Sequence, residues 1–361
     1  MQKKREKIRV VVIDDSPTAR ELLVALFQAD EEMEVVGTGG NGEDAIRLVS
    51  RLRPDVVTMD ISMPKVDGLE ATRRIMREIP TPIVVVTASL MRKDVDMAFE
   101  SLRAGALTAV KKPGLMDPET CERLVKSVKA MARVSVVRRW DPAHPRPAQP
   151  AVSSASAAVD ISPETQQQVQ MIGIAASTGG PGVLAKLLRP LPADFPIPIL
   201  IVQHVTDGFA TGLAEWLNGE TALRVALASH GDRPQAGSVL MPPDDYHMQV
   251  NVRRVIELYK GQPYKGLRPS ANYLFHSLAR AYGASAVGII LTGMGDDGVD
   301  GLKALHQAGG LTIAQDEESC IVYGMPKEAV ANRAVGRILS PDHIAFILAQ
   351  LAKRGEEKSY G

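Results

Sequence analysis

The first 134 residues alternate short apolar runs with amphipathic stretches. Each of the five runs precedes one stretch: IRVVVID before 17–29, MEVVGTG before 42–52, DVVTMD before 68–78, PIVVVTA before 94–104, and LTAV before 118–133. Runs in which nearly every residue is apolar are typical of strands that are buried on both faces of a parallel sheet. The pattern therefore predicts five βα units, an α/β fold with a doubly wound parallel sheet.

A second set of apolar runs occupies the C-terminal half, and each run ends in a residue type that acyl-transfer chemistry needs. MIGIAAS ends at Ser177, PILIVQH at His204 and AVGIILTGMGDD at Asp297. The strands of a parallel sheet present their carboxyl ends at one edge, where ligands bind, so distant segments can meet there. We expect a second doubly wound α/β domain with a mostly parallel sheet, and the three residue types favour a serine hydrolase.

A change of composition separates the two halves. From Trp140 to Thr165 the sequence is dominated by Pro, Ala and Ser, without the periodicity of a helix or strand. Such a segment is typical of a linker. We therefore predict a first domain over 1–139, a Pro/Ala/Ser-rich linker over 140–167, and a second domain over 168–361 that ends in a frayed tail, EEKSYG.

Composition excludes several classes of protein. Basic and acidic residues both total 42, and residues 171–361 contain 17 basic and 18 acidic residues, so a nucleic-acid-binding face is not expected. The two cysteines, Cys121 and Cys320, lack metal-ligand spacing, and we expect reduced thiols. The sequence has neither a signal-peptide pattern nor an apolar run long enough to span a bilayer. These features predict a cytoplasmic protein without membrane insertion.

Three acidic residues follow strands of the first domain. Asp14 and Asp15 end the first predicted strand and Asp60 ends the third, so all three project at the same edge. Clustered carboxylates suit Mg²⁺, although any one of them alone would more commonly cap a helix or form a turn. Thr87 and Lys112 end two further strands and supply a hydroxyl and a positive charge, both of which suit a phosphoryl group.

These strand-end residues resemble the receiver domain of two-component response regulators over residues 8–130. The matching motifs are DDS at 14–16, DISMPKVDG at 60–68, TA at 87–88 and KP at 112–113. The resemblance implies phosphorylation of Asp60 by a histidine kinase, and a phosphorylation response at Thr87 and Lys112. It also implies a Mg²⁺ site formed by Asp14, Asp15, Asp60 and the Ser62 carbonyl. Receivers usually carry an aromatic residue where this chain has Ala109, so the usual aromatic half of the switch is absent.

The segment around Ser177 reads as a strand, a turn of small residues and a helix. Ala175-x-Ser177-x-Gly179 is close to the nucleophile-elbow pattern, whereas the Walker and dinucleotide-binding patterns both fail here. His204 directly caps a buried strand, where an imidazole needs a partner. The other internal histidines of this half, His230, His247, His276 and His306, are expected in the core or on the surface. Chemistry alone leaves Asp296, Asp297 and Asp300 as candidates for the acid.

Five segments of the second half resemble the catalytic domain of the chemotaxis methylesterases, the CheB family. They are IAASTGG, IVQHVTDGFA, RPSANYLFHSLA, VGIILTGMGDDG and AQDEESCIVYGMP. The resemblance implies that Ser177 is the nucleophile, His204 the base and Asp297 the orienting acid, with the N–H groups of Thr178 and Met294 as oxyanion candidates. It further implies hydrolysis of glutamyl 5-methyl esters on chemoreceptors to glutamate and methanol, deamidation of receptor glutamines in some members, and no cofactor in this domain.

A hydrolase has two alternatives from other function classes, a binding-only response regulator and a transcription regulator. A non-catalytic response regulator, whose second domain only binds a receptor or adaptor, would carry the same receiver. A transcription regulator would need a helix-turn-helix and a basic reading face, and residues 171–361 show neither. The methylesterase is therefore the main hypothesis, and the binding-only regulator is the alternative.

Overall fold

The computed structural model describes residues 7–87, 92–114, 117–134, 136, 169–206 and 208–352. The chain separates into two compact units, Met1–Ser154 and Ala155–Gly361. The predicted linker, 140–167, and the predicted tail lie outside the described residues, so the proposed domain boundaries stay predictions.

The first unit alternates strands and helices. Its elements are β1 (Ile8–Ile13), α1 (Pro17–Gln28), β2 (Met33–Gly39), α2 (Gly42–Leu52), β3 (Val56–Met59), α3 (Gly68–Glu78), β4 (Ile83–Thr87), α4 (Arg92–Ala104), β5 (Thr108–Lys111) and α5 (Pro118–Met131). The strands form a parallel sheet in the order β2-β1-β3-β4-β5. The predicted five βα units are confirmed.

Local sequence explains where these helices begin. Ser16, Asn41 and Asp67 each accept a hydrogen bond from a backbone N–H in the first turn of the next helix, as N-cap residues do. Gly68 is needed at the start of α3 because a Cβ there would lie 2.0 Å from the carbonyl oxygen of Asp60. The helix therefore begins in direct contact with the end of β3, which fixes the backbone around Asp60.

The second unit is also α/β. Its elements are β6 (Met171–Ala176), α6 (Gly180–Leu188), β7 (Ile199–Gln203), α7 (Ala210–Glu220), β8 (Arg224–Leu227), β9 (Ser238–Met241), β10 (His247–Val250), β11 (Ile256–Tyr259), α8 (Ala271–Ala281), a 3₁₀ turn (Gly283–Ser285), β12 (Ala286–Ile290), α9 (Val299–Gln307), β13 (Leu311–Gln315), α10 (Met325–Ala331), β14 (Arg337–Leu339) and α11 (Pro341–Ala352). Seven parallel strands pair in the order β14-β13-β12-β6-β7-β9-β8, and β10 and β11 form an antiparallel hairpin. The predicted doubly wound parallel sheet is confirmed.

The central strand β6 is buried on both faces. Met171 and Ala175 belong to a core cluster that includes Phe275 and Leu278 of α8, while the alternating residues, such as Ile174, are fully buried as well. Both faces are covered because a parallel sheet of this kind carries helices on each side. The carboxyl edge is the part of the sheet left for ligands.

None of the helices described is both long enough and apolar enough to cross a bilayer. Cys121 and Cys320 are unpaired and half-buried.

Candidate functional sites

The acidic residues of the first unit meet at a switch point of its sheet. The chain proceeds outward from β1 to β2 on one side and to β3 on the other, which opens a crevice at the carboxyl ends of β1 and β3. Asp14 and Asp15 follow β1 and Asp60 follows β3, and one carboxylate oxygen from each lies within 4.8 Å of the others. The backbone N–H of Asp60 donates to the carbonyl of Ile13 at 2.9 Å, which aligns the two strand ends.

Lys112 places its positive charge between two of these carboxylates. Its Nζ lies 2.7 Å from Asp14 Oδ2 and 2.9 Å from Asp60 Oδ2. Its backbone N–H donates to the carbonyl of Thr87 at 2.7 Å, so β4 positions the lysine. Burial raises the pKa of Asp60, and the charge of Asp14 adds to this effect, although Lys112 opposes both. Burial lowers the pKa of Lys112, but hydrogen bonds to Asp14 and Asp60 outweigh it, so the net shift is upward.

The acidic pocket has the donor set of a divalent-cation site. Asp14 is fully buried, and its Oδ2 is in charge contact with Lys112 but accepts no well-aligned hydrogen bond from any described residue. A buried carboxylate oxygen without a donor is costly, and Mg²⁺ prefers such hard oxygen ligands. The pocket of Asp14, Asp15 and Asp60 therefore fits Mg²⁺.

The second unit brings Ser177 and His204 to one edge of its sheet. Ser177 follows β6 and His204 follows the neighbouring β7, and the N–H of His204 donates to the carbonyl of Ala176 at 3.0 Å. The N–H of Ser177 donates to the carbonyl of Thr292, beyond β12, at 3.0 Å. Since β6 lies between β7 and β12, the ends of these three strands form the switch point of this sheet.

Asp297 binds His204 directly. His204 Nε2 and Asp297 Oδ2 are 2.8 Å apart, and the two side chains are only 10% and 1% exposed. The carboxylate also accepts hydrogen bonds from Ser270 Oγ at 2.5 Å, the N–H of Ala271 at 2.7 Å and Asn272 Nδ2 at 3.2 Å. Burial raises the pKa of Asp297, but the hydrogen bonds from His204, Ser270 and Ala271 outweigh it, so the pKa is lowered and the carboxylate is ionised at neutral pH.

The other two candidate acids point to different partners. Asp296 forms an ion pair with Lys265, and Asp300 accepts a hydrogen bond from the hydroxyl of Tyr264 at 2.9 Å. Asp296 and Lys265 are about half exposed, as their side-chain exposures of 45% and 55% show. Of the three acids that the sequence left open, Asp297 is therefore the one in contact with His204.

The Ser177 hydroxyl lies at the turn between β6 and α6. Gly179 adopts the left-handed region there, with φ of 78°, and a Cβ at Gly293 would lie 2.6 Å from the Cβ of Ser177. Within the described part of the chain, neither Ser177 Oγ nor His204 Nδ1 has a hydrogen-bond partner. Catalytic hydrogen bonds are commonly formed only once substrate binds, so the two groups are open for a reacting ester.

The two predicted oxyanion donors flank the serine. Thr178 follows it directly, and its carbonyl accepts a hydrogen bond from the Thr292 hydroxyl at 3.0 Å. Met294 follows Gly293, the residue packed against Ser177. Among the residues that the structure describes, the N–H groups of Thr178 and Met294 donate to no protein acceptor. Two such donors beside a serine hydroxyl could bind an oxyanion.

Family models match both units of the chain. One described as CheB methylesterase matches residues 172–348, and one described as response regulator receiver domain matches residues 10–126. A protein-glutamate methylesterase/protein-glutamine glutaminase of Syntrophus aciditrophicus is 45% identical over 350 residues, which cover 96% of this chain and 98% of the relative. One from Myxococcus xanthus is 46% identical over 346 residues, covering 94% and 96%. The chain belongs to the CheB methylesterase family.

Two solved structures of the family are similar to separate parts of this chain. The catalytic domain of Thermotoga maritima CheB is 33% identical and covers 51% of this chain and 98% of its own, with a TM-score of 0.49. The response regulator domain of the same Thermotoga protein is 32% identical and covers 36% of this chain and 99% of its own, with a TM-score of 0.34.

Sequence reasoning missed the residues that orient the reactive groups of this CheB-family site. Gln203 Nε2 donates to the carbonyls of Ser177 at 2.7 Å and His204 at 2.9 Å, so one carboxamide holds both backbones. Ser270 and Asn272 hold Asp297. The only signal for Ser270 was a helix-capping residue type before the apolar stretch that becomes α8.

We expect Mg²⁺ to bind the acidic pocket of the full-length chain, because the pocket concentrates three carboxylates around a single lysine charge. Replacing Asp60→Asn or Asp14→Asn removes a ligand charge and should weaken binding at least about ten-fold. Isothermal titration calorimetry with MgCl₂ measures this. Asp30→Asn, which alters an acid paired with Lys129, is the matched control and should bind as the wild type does. Equal affinity in all four proteins would place the metal elsewhere.

We expect Asp297→Asn to destabilise the second unit at neutral pH by about 1–3 kcal/mol, because buried donors lose a charged acceptor. The lowered pKa of Asp297 stabilises the fold above the unfolded value of about 3.9, and this contribution is lost as the pH falls through the folded value. The difference in the free energy of unfolding between the wild type and Asp297→Asn should therefore shrink below about pH 4. Urea unfolding followed by Trp216 fluorescence, in a Trp140→Phe background, measures it.

Asp296→Asn is the matched control for that experiment. Its exposed ion pair with Lys265 should change the free energy of unfolding by less than about 1 kcal/mol at any pH. The wild type should lose its greater free energy of unfolding, relative to Asp297→Asn, as the pH falls. If this difference stayed constant from pH 7 to pH 3, it would contradict the assignment of the lowered pKa to Asp297.

Proposed function

We propose that this CheB-family chain hydrolyses glutamyl 5-methyl esters on chemoreceptors to glutamate and methanol, and deamidates receptor glutamines. Relatives that it matches over nearly their whole length are named for both activities. The structural observation that carries the proposal is the buried contact of His204 with Asp297, 2.8 Å long, at the strand edge that also presents Ser177. The substrate side chains belong to the cytoplasmic part of the receptors, so we place the enzyme in the cytoplasm.

Ser177, His204 and Asp297 act in this proposal as nucleophile, base and orienting acid. Asp297 occupies His204 Nε2, so Nδ1 is the nitrogen left to take the hydroxyl proton when Ser177 Oγ attacks the ester carbonyl. The ionised Asp297 stabilises the imidazolium that forms. The N–H groups of Thr178 and Met294 stabilise the oxyanion, and His204 then protonates the departing methoxide.

Water hydrolyses the acyl-enzyme in the second half of the reaction. His204 removes a proton from the water as its oxygen attacks the acyl carbonyl, and then returns that proton to Ser177 Oγ as the C–Oγ bond breaks and the glutamate side chain is released. A glutamine substrate differs only in its leaving group, which departs as ammonia. The groups of this site provide every proton transfer, so the esterase chemistry itself requires no cofactor.

We assign the regulation of the enzyme to phosphorylation of Asp60 by a histidine kinase. Mg²⁺, held by Asp14, Asp15, Asp60 and the Ser62 carbonyl, would neutralise charge on the transferred phosphoryl group. Thr87 ends β4 and Lys112 follows the neighbouring β5, and both would contact the phosphoryl oxygens. Burial and the negative charge of Asp14 raise the pKa of Asp60 although Lys112 opposes both, and a bound cation would favour the ionised, reactive carboxylate.

Ala109 makes the route of this signal different from the usual receiver switch. Ala109 lies in β5 and is buried, in register with Val85 of β4. A methyl side chain cannot rotate between two positions as an aromatic ring does. We therefore propose that helix and loop shifts, rather than an aromatic flip, transmit phosphorylation.

We expect Ser177→Ala to reduce methanol release from methylated receptor fragments by at least about 10³-fold, because it removes the nucleophile. Receptor binding, measured separately by calorimetry, should persist. Ser229→Ala, which changes an exposed serine of the same unit, is the control and should retain full activity. Absence of methanol release in the wild type would favour the binding-only regulator, and release that survives in Ser177→Ala would place the nucleophile elsewhere.

We expect a small phosphoryl donor with Mg²⁺ to raise methanol release by the full-length wild type and to leave Asp60→Asn unchanged, because only the wild type has the phosphoryl acceptor. Deletion of residues 1–140 should also raise the unstimulated rate if the receiver restrains the esterase. A steady-state methanol assay measures both effects. Turnover that responds to neither the donor nor the deletion would contradict regulation by the receiver.

A further inference from the structure

A second histidine of the catalytic unit is buried close to the triad. His247 begins β10 and is fully buried. Its ring centroid lies 4.2 Å from that of Tyr273 on α8 and 5.4 Å from that of Tyr259 on β11. The reaction described above uses no group of His247. A buried imidazole is costly unless its nitrogens have partners, so its hydrogen bonds show what holds it there.

Both ring nitrogens of His247 are engaged by the backbone. Nδ1 accepts a hydrogen bond from the N–H of Ser270 at 3.2 Å, and Nε2 donates one to the carbonyl of Gln262 at 3.1 Å. An N–H group can only donate and a carbonyl can only accept. These partners therefore require one tautomer, the neutral ring with its proton on Nε2.

The partner of His247 Nδ1 is also the residue that orients the catalytic acid. Ser270 Oγ donates to Asp297 Oδ1 at 2.5 Å, and the next N–H along the chain, that of Ala271, donates to Asp297 Oδ2 at 2.7 Å. The hydrogen bond that His247 accepts from the Ser270 N–H thus fixes the peptide segment at Ser270 and Ala271, from which two donors reach Asp297. A displacement of this peptide would turn the carboxylate that holds His204.

We propose that His247 is a positioning residue for the esterase reaction: as a neutral imidazole it holds the N–H of Ser270, and through Ser270 the orientation of Asp297 toward His204. The proposal rests on the proposed function, because it concerns the same triad. It adds a residue that touches neither the substrate nor the reacting atoms.

Protonation of His247 is incompatible with this arrangement. A proton on Nδ1 would face the N–H of Ser270, so two donors would oppose each other and the hydrogen bond would be lost. Burial lowers the pKa of His247 below its usual value, so the neutral ring prevails near neutral pH and the charged ring forms only as the pH falls. The groups that face it are Tyr259 of β11, Tyr273 of α8, and Arg268, Asp245 and Asp297 of the adjoining loops.

The decisive experiment compares two substitutions in the full-length protein. His247→Leu removes the acceptor for the Ser270 N–H, and we expect kcat for methanol release to fall about 10- to 100-fold with little change in KM. His247→Asn keeps an acceptor oxygen near the position of Nδ1 but cannot titrate, and we expect it to recover most of the lost kcat. His306→Leu and His306→Asn, at an exposed histidine of α9, are the matched controls.

The pH profile separates positioning from packing. The acid limb of log kcat/KM should be steeper in the wild type than in His247→Asn, because only the wild type loses activity through protonation of His247. Wild-type kcat in His247→Leu, or no recovery in His247→Asn when Trp216 fluorescence shows both variants folded, would overturn the proposal. A wild type that releases no methanol would instead refute the proposed function.

NMR spectra of the His204 ring test the positioning role without turnover. In ¹³C-histidine-labelled full-length protein, His247→Leu should shift the ring resonances of His204 because Asp297 turns away, whereas the His306 variants should not. Unshifted His204 resonances in a folded His247→Leu protein would count against the proposal even if no ester were available.

Discussion

The catalytic unit depends on keeping one carboxylate ionised away from water. Removing a carboxylate from water costs several kcal/mol unless its lone pairs are satisfied. Asp297 meets this requirement with donors from His204, Ser270, Ala271 and Asn272. These donors come from two separate segments, the end of β7 and the start of α8, and Asp297 itself comes from the loop after β12. Three segments that are distant in the sequence therefore meet at Asp297, and their donors compensate its buried charge.

The acidic pocket of the receiver unit shows the opposite balance. Asp14 and Asp60 are both buried, but one lysine serves two carboxylates and Asp14 Oδ2 accepts no well-aligned hydrogen bond from the described residues. Burial and the charge of Asp14 raise the pKa of Asp60 despite the opposing effect of Lys112, whereas hydrogen bonds outweigh burial and lower the pKa of Asp297. A fully satisfied carboxylate is fixed and suits the orientation of a base, while an under-satisfied pocket gains most from binding a cation.

The site residues that could be predicted from the sequence are those that directly follow a strand, because their position depends on the sheet alone. Ser177, His204 and Asp60 directly follow apolar strands. The apolar runs predict the strands, and the strands of a parallel sheet end at a common edge, so these residues could be predicted to lie at such edges. The choice among Asp296, Asp297 and Asp300 was different, because all three lie in one glycine-rich loop and only the folded loop shows which reaches His204. Gln203, Ser270 and His247 were missed because each bonds a group in a distant segment, Ser177, Asp297 and Ser270 respectively, and no spacing in the sequence encodes such a contact.

The two histidines of the catalytic unit show that hydrogen-bond partners, not residue type, decide whether an imidazole can carry a proton. His204 has a carboxylate on Nε2 and no described partner on Nδ1, so a second proton places positive charge beside a fixed negative charge. His247 has a carbonyl on Nε2 and an N–H donor on Nδ1, so a second proton finds no acceptor. In the proposed mechanism the His204 ring therefore carries the exchangeable proton, whereas the His247 ring keeps its neutral form and accepts the hydrogen bond from the Ser270 N–H.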